Sequence, residues 1–186
     1  MTDSTAEATP SPLAPTLAEV TANLIRDLNT SIEELTSEEL NARPIESGSS
    51  IGFHAWHVLR TIDNIVNFVF YRDRPFWVTE GLHEQLDLPR IDQGTGMTDE
   101  EANALHFRSA ADLVSYGTGV LEVVQPKIEG MDEEFLLGTT QTRIAGRTAE
   151  RQRMFSLSQV VIAHGREHYG QIQVLRQLLG RPSLGS

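Results

Sequence analysis

The stretch "SLSQVVIAHGREHYGQIQVLRQLLG", residues 156–180, decides how this chain is read. Val161, His164, His168, Gln171, Leu175 and Leu178 recur at alternating steps of three and four, one seam of the kind that faces a bundle core. Ser156 to Gln159 reads as a capping box at its start, and Gly180 followed by Pro182 reads as its stop. The C-terminal half of the seam is leucine, whereas the N-terminal half is His, His, Gln. Side chains four apart lie one turn apart on the same face, so both imidazoles can reach one point. Burying a polar ring costs roughly 1–3 kcal/mol unless it finds a partner. Two of them on a core seam need a reason. A shared divalent cation is one; a pair of hydrogen-bonded core histidines is the other.

Outward from this segment, three more stretches carry helical periodicity, and none alternates as a strand does. The first spans about Leu13 to Leu35, with Leu17, Val20, Leu24, Leu28 and Ile32 in register. The second starts at an N-cap near Ser49 or Ser50 and runs through "IGFHAWHVLRTIDNIVNFVFYRD" toward Pro75. A connection of roughly 25 residues follows, Asp73 to Met97, long enough to suggest a role beyond joining helices. The third helix opens on the capping box Thr98 to Glu101 and is expected to run to Gln125, before Pro126. An irregular stretch, Lys127 to Met154, with a helical turn at "MDEEFL", precedes the last helix. Four amphipathic helices with one long crossover predict an all-α four-helix bundle. Residues 1–12 read as a disordered leader, 13–180 as a single domain and 181–186 as a frayed tail.

Composition narrows the function. A net charge of -11 argues against nucleic acid and against anionic membrane surfaces, both of which favour basic faces. No apolar run reaches the length of a bilayer span, and the start has neither the basic nor the apolar region of a signal peptide, so the expected location is cytoplasmic. With no cysteine, thiolate metal sites and a cysteine nucleophile are excluded, and any thiol chemistry needs a thiol from outside.

A third ligand tests the metal reading. The second helix offers His54 and His57; His83 in the connection and His106 on the third helix are weaker candidates. The apolar stripe Ile51, Ala55, Val58, Ile62, Ile65, Val69 has His54 at its edge and His57 further round, so periodicity alone leans toward His54. "HGREH" lacks the His-Glu-x-x-His order of zinc proteases, which leaves a protease unsupported.

At "SIGFHAWHVLRTIDN" and "HGREHYGQIQVLRQLLG" the chain resembles the DinB-like family, also called YfiT-like metal proteins. The order of elements matches as well, over about Leu13 to Gly180. The resemblance implies an up-down-down-up bundle, with a long crossover between helices 2 and 3, holding a divalent metal on three histidines. By motif position these are His57, His164 and His168, with His54 as a pocket residue or substitute ligand. In that order helices two and four are antiparallel. Bringing His57 level with the pair then needs a stagger of about 10 Å at 1.5 Å per residue, and His106 becomes a candidate pocket residue.

Three imidazoles leave a divalent ion an open position, as catalytic zinc sites do, and the resemblance favours zinc or nickel. Gln171, Asp63 and Asn64 are candidates to orient the rings. Trp56, Tyr71, Trp77 and Tyr169 would wall a pocket or simply pack. Some family members are transferases or isomerases that use a low-molecular-weight thiol. The expected function is therefore a metal-dependent, thiol S-transferase-like enzyme acting on a small molecule, as a homodimer. The alternative is a metal-binding stress or interaction protein without catalysis. A related group, the iron-dependent sulfoxide synthases, carries His-x-x-x-His-x-Glu; Gly170 stands at that last position here.

Overall fold

The computed structural model describes residues 9–45, 48–144 and 147–184. Most of the leader, residues 1–8, lies outside them. The chain is mostly helical, with one two-stranded sheet among the described residues. Helix α1 is Ala14–Ile32 and a short α2 is Ser37–Asn41. Helix α3, Ile51–Asp63, continues without a break as a π-helical segment, Asn64–Phe70. The crossover holds α4 (Phe76–Thr79) and α5 (Leu82–Leu86), and α6 (Asp99–Ala104) precedes the long α7 (Ala110–Glu129). After α8 (Glu133–Leu137) come strands β1 (Thr139–Ile144) and β2 (Arg147–Gln152). One turn, α9 (Arg153–Phe155), then leads through a second π segment, Ser156–Ala163, into α10 (His164–Leu178).

Contacts between the long helices fix the directions of four helix pairs. Ser11, just before α1, donates its N–H to Met131 C=O past the end of α7, while Asn29 meets Val114 near its start, so α1 and α7 are antiparallel. Arg166 pairs with Asp27 and Gln173 with Ser31, so α1 and α10 are parallel. Tyr116 reaches Asp63 and Lys127 reaches Asn67, so α3 and α7 are parallel. His54 meets His168 and His57 meets His164, so α3 and α10 are antiparallel. Together these make the up-down-down-up order.

The stagger comes from helix length. α3 starts opposite about residue 171, so about seven residues of α10 overhang it, roughly 10 Å at 1.5 Å per residue. The overhang packs on the end of α1. There the wholly buried Arg176 donates to Ser31 C=O, Glu34 and Pro182 C=O. Arg181 forks onto Glu39 and holds that carboxyl down at about 2, with the backbone N–H of Thr36 adding to the effect.

Several expectations are corrected. Strands Thr139–Ile144 and Arg147–Gln152 pair antiparallel, Thr139 opposite Gln152; their residues are mostly polar, so no apolar alternation betrays them. The third helix breaks at residues 105–109, because Phe107 turns into the core beside Trp56 and Ser109 starts a new helix by accepting from Asp112 N–H. Pro126 falls inside the last turn of α7 rather than ending it. Ser156 is not a cap. The helix begins earlier, and its hydroxyl is buried inside it. Within the last helix the buried set is Gly165, Tyr169, Ile172, Leu175 and Arg176, while Gln171 and Leu178 face outward. The π segment before His164 carries an i→i+5 turn, so the run from Val161 does not keep a constant 3.6-residue phase.

Candidate metal centre

All of Ile51–Asp63 is buried, so α3 has no polar face against which a stripe could be phased. That is why periodicity leaned toward His54 without choosing cleanly between the two histidines. Ser50 caps the helix by accepting from Phe53 N–H. His57 stacks on Phe53, ring centroids 5.9 Å apart and planes 6° apart. Its Nδ1–H donates to the backbone carbonyl of Gln93, 2.5 Å away, which leaves Nε2 bare.

That carbonyl arrives on the long crossover, and buried groups on α3 hold the crossover in place. Asp63 accepts from the backbone N–H groups of Phe76 and Trp77 and from the Tyr116 hydroxyl. Arg60, 3.8 Å from Asp63, donates toward the carbonyls of Arg90 and Ile91, and the Trp77 indole donates to Pro89. Gly94 then passes so close that a Cβ there would lie 2.9 Å from Phe53 and 3.1 Å from His57 Nδ1. Its φ of +92° is also glycine territory.

His164 and His168 come from the opposite wall. Gly165 between them allows the close approach, since a Cβ there would meet Leu24 of α1 at 2.5 Å and Val58 of α3 at 3.3 Å. His164 Nε2 lies 3.5 Å from His57 Nε2 and 3.0 Å from His168 Nε2. The ligand atoms of all three rings fall within 4.8 Å of one another. A tetrahedral ion with Zn–N bonds of about 2.0–2.1 Å sets its nitrogens about 3.3–3.4 Å apart. The two separations to His164 bracket that figure, and the group could hold a metal ion.

A family model described as the DinB superfamily matches residues 21–172, a span that contains all three histidines. The chain belongs to the DinB superfamily. A crystal structure described as the conserved protein of locus from Enterococcus faecalis shares the fold, with a TM-score of 0.77 at 20% identity, over 93% of this chain and 100% of that one. No curated protein is similar enough to count as a match.

In this DinB bundle burial favours the neutral form of His54, His57 and His168, the form that binds a cation. It pushes His168 down to about 3 and His54 to about 4, and neighbouring histidines add to the effect in both. His57 is also lowered by burial, partly offset by its bond to Gln93. His54 itself stands outside the convergence point. Its Nδ1 lies 2.8 Å from His168 Nδ1, on the far side of that ring from Nε2.

The other candidates fall elsewhere. His106 is exposed in the break before α7, and His83 sits on α5 with its Nε2 3.6 Å from Glu84. Asp63 is turned toward the crossover rather than toward a histidine. Trp56 and Trp77 are core, Tyr71 stacks on Phe135, and the Tyr169 hydroxyl donates to Leu184 C=O. Gln171 does reach a histidine: it is exposed and lines an open cavity of about 530 Å³ beside His54, and its side chain hydrogen-bonds His168. The Gln93 carbonyl had no signal in the sequence, because a backbone atom has no residue type.

Proposed function

We propose that His57, His164 and His168 hold one divalent ion, zinc or nickel, in a metal-dependent enzyme of thiol S-transferase type acting on a small molecule. The observation that carries this reading is the convergence of three imidazoles on one point, with His164 Nε2 3.5 Å from His57 Nε2 and 3.0 Å from His168 Nε2 and all three ligand atoms within 4.8 Å of one another. With three protein ligands the ion keeps an open position, and when bound it lowers the pKa of a thiol or water brought to it and polarises a carbonyl. The chain does the rest. The Gln93 carbonyl holds His57 in the tautomer that leaves Nε2 free. The half-buried setting of His164 and His168 limits water, and the cavity of about 530 Å³ on the His54 side of His168 has the size of a small-molecule site. Lacking cysteine, the chain draws the sulfur from a low-molecular-weight thiol. On the family resemblance, the proposal extends to a homodimer in the cytoplasm with its working domain over residues 13–180.

The test has two stages. Elemental analysis of the purified and reloaded protein should find one divalent ion per chain, abolished in His164→Ala. The loaded protein should then transfer thiols from a low-molecular-weight panel to a chromogenic electrophile. No ion after reloading overturns the whole reading. An ion whose removal lowers stability, with no turnover across the panel, favours a non-catalytic metal-binding stress or interaction protein instead.

A further inference from the structure

His54 and His168 face each other through their Nδ1 atoms at 2.8 Å, with ring centroids 5.0 Å apart. A buried ring and a half-buried one in such contact share one proton, which one of the two nitrogens must carry. His168 turns its Nε2 toward His164, and a nitrogen that ligates an ion carries no proton. The proton of His168 is therefore on Nδ1, and His54 Nδ1 is the acceptor. A neutral His54 then carries its own proton on Nε2. That atom has no protein partner among the described residues and is not sealed from solvent. His54 is 8% exposed and lines the cavity of about 530 Å³, together with Ser49, Glu167 and Gln171.

We propose that His54 is a positioning residue of the metal centre: it fixes His168 in the ligating tautomer by accepting from Nδ1–H, and so presents its own Nε2–H as a donor on the cavity wall. This rests on the three-histidine reading above and goes beyond it. It gives a reason for a fourth histidine that the ligand count does not need. It also makes the cavity next to the centre sensitive to whether His168 is ligating, because reversing the shared proton would turn His54 Nε2 from donor to acceptor.

The test uses the full chain, labelled with ¹⁵N and loaded with zinc. Long-range ¹H–¹⁵N spectra should show His168 protonated on Nδ1 and His54 on Nε2; the reverse pair overturns the proposal. His54→Phe keeps the bulk and removes the acceptor, and should weaken zinc binding by about 10- to 100-fold. His54→Asn places an amide oxygen where Nδ1 was, and should restore affinity to within about threefold of the parent. Thermal melts of the zinc-free variants establish that each is folded. Should His54→Phe not fold, the spectra and the His54→Asn affinity still decide. Parent-like zinc affinity in a folded His54→Phe overturns this role alone, whereas a parent that binds no zinc overturns the three-histidine reading as well.

Discussion

Asp63 is wholly buried, and its two oxygens accept from Phe76 N–H, Trp77 N–H, the Asn67 amide and the Tyr116 hydroxyl. Burial and the nearby carboxylate hold the Tyr116 hydroxyl well above its ordinary range, so it stays a donor. Removing this carboxylate strands four donors and leaves Arg60 without its counter-charge. We expect Asp63→Ala to cost about 3–5 kcal/mol in urea unfolding, and to weaken metal binding because the crossover that carries Gln93 loses its anchor. An unchanged metal affinity in a folded Asp63→Ala would separate the crossover from the centre. Gly170 makes the opposite case. A Cβ there meets nothing within 4 Å, so Gly170→Ala should stabilise the helix by about 0.5–1 kcal/mol and leave metal affinity as it is. Destabilisation in the same measurement would show that the open face of α10 is covered in solution.

Elements meet at the centre through glycines. Gly165→Ala pushes α10 against the wholly buried Leu24 and against Val58, and overpacking of this kind costs about 1–3 kcal/mol. His164 and His168 flank this glycine, so a calorimetric titration should show weaker metal binding together with the lower unfolding midpoint. Loss of stability with unchanged affinity would mean that the two helices shift without moving the rings. The four helices were legible in the sequence because apolar residues at three- and four-residue steps follow directly from one-sided burial, as along Leu24, Leu28 and Ile32. Where burial is not one-sided the signal vanishes. α3 is buried all round, so its wheel leaned to His54, while the family resemblance pointed to His57, the residue whose Nε2 faces His164. The strand pair escaped because Thr139, Gln141 and Glu150 do not alternate with apolar residues, and the break before α7 escaped because Phe107 buries itself from a coil.

At the scale of the molecule, the three rings tie α3, α10 and the crossover into one unit, and on the proposed reading its stability should respond to protons and metal together. Zinc at about a hundred times its Kd should add about 2.7 kcal/mol to unfolding, and a chelator should remove it. In the zinc-free protein, burial holds His54 at about 4 and His168 at about 3, against an ordinary 6.5 that the unfolded chain recovers. Between those values the unfolded state binds protons that the folded state refuses, so stability rises with pH across the window. The contribution is whole above about pH 6.5 and is lost progressively as pH falls toward 4 and then 3. The net charge of -11 pulls the other way, since protonating carboxylates relieves self-repulsion in the compact state. A bare pH profile therefore mixes two opposing slopes. Comparing the parent with His54→Asn separates them, because the variant keeps the charge background and deletes one depressed ring. The urea midpoint of the zinc-free parent should fall more steeply than that of His54→Asn between pH 6.5 and 4.5, and the two curves should run parallel above pH 7. Parallel curves throughout would mean that His54 takes up its proton in the folded state as readily as in the unfolded one, and that the ring is not held neutral against His168.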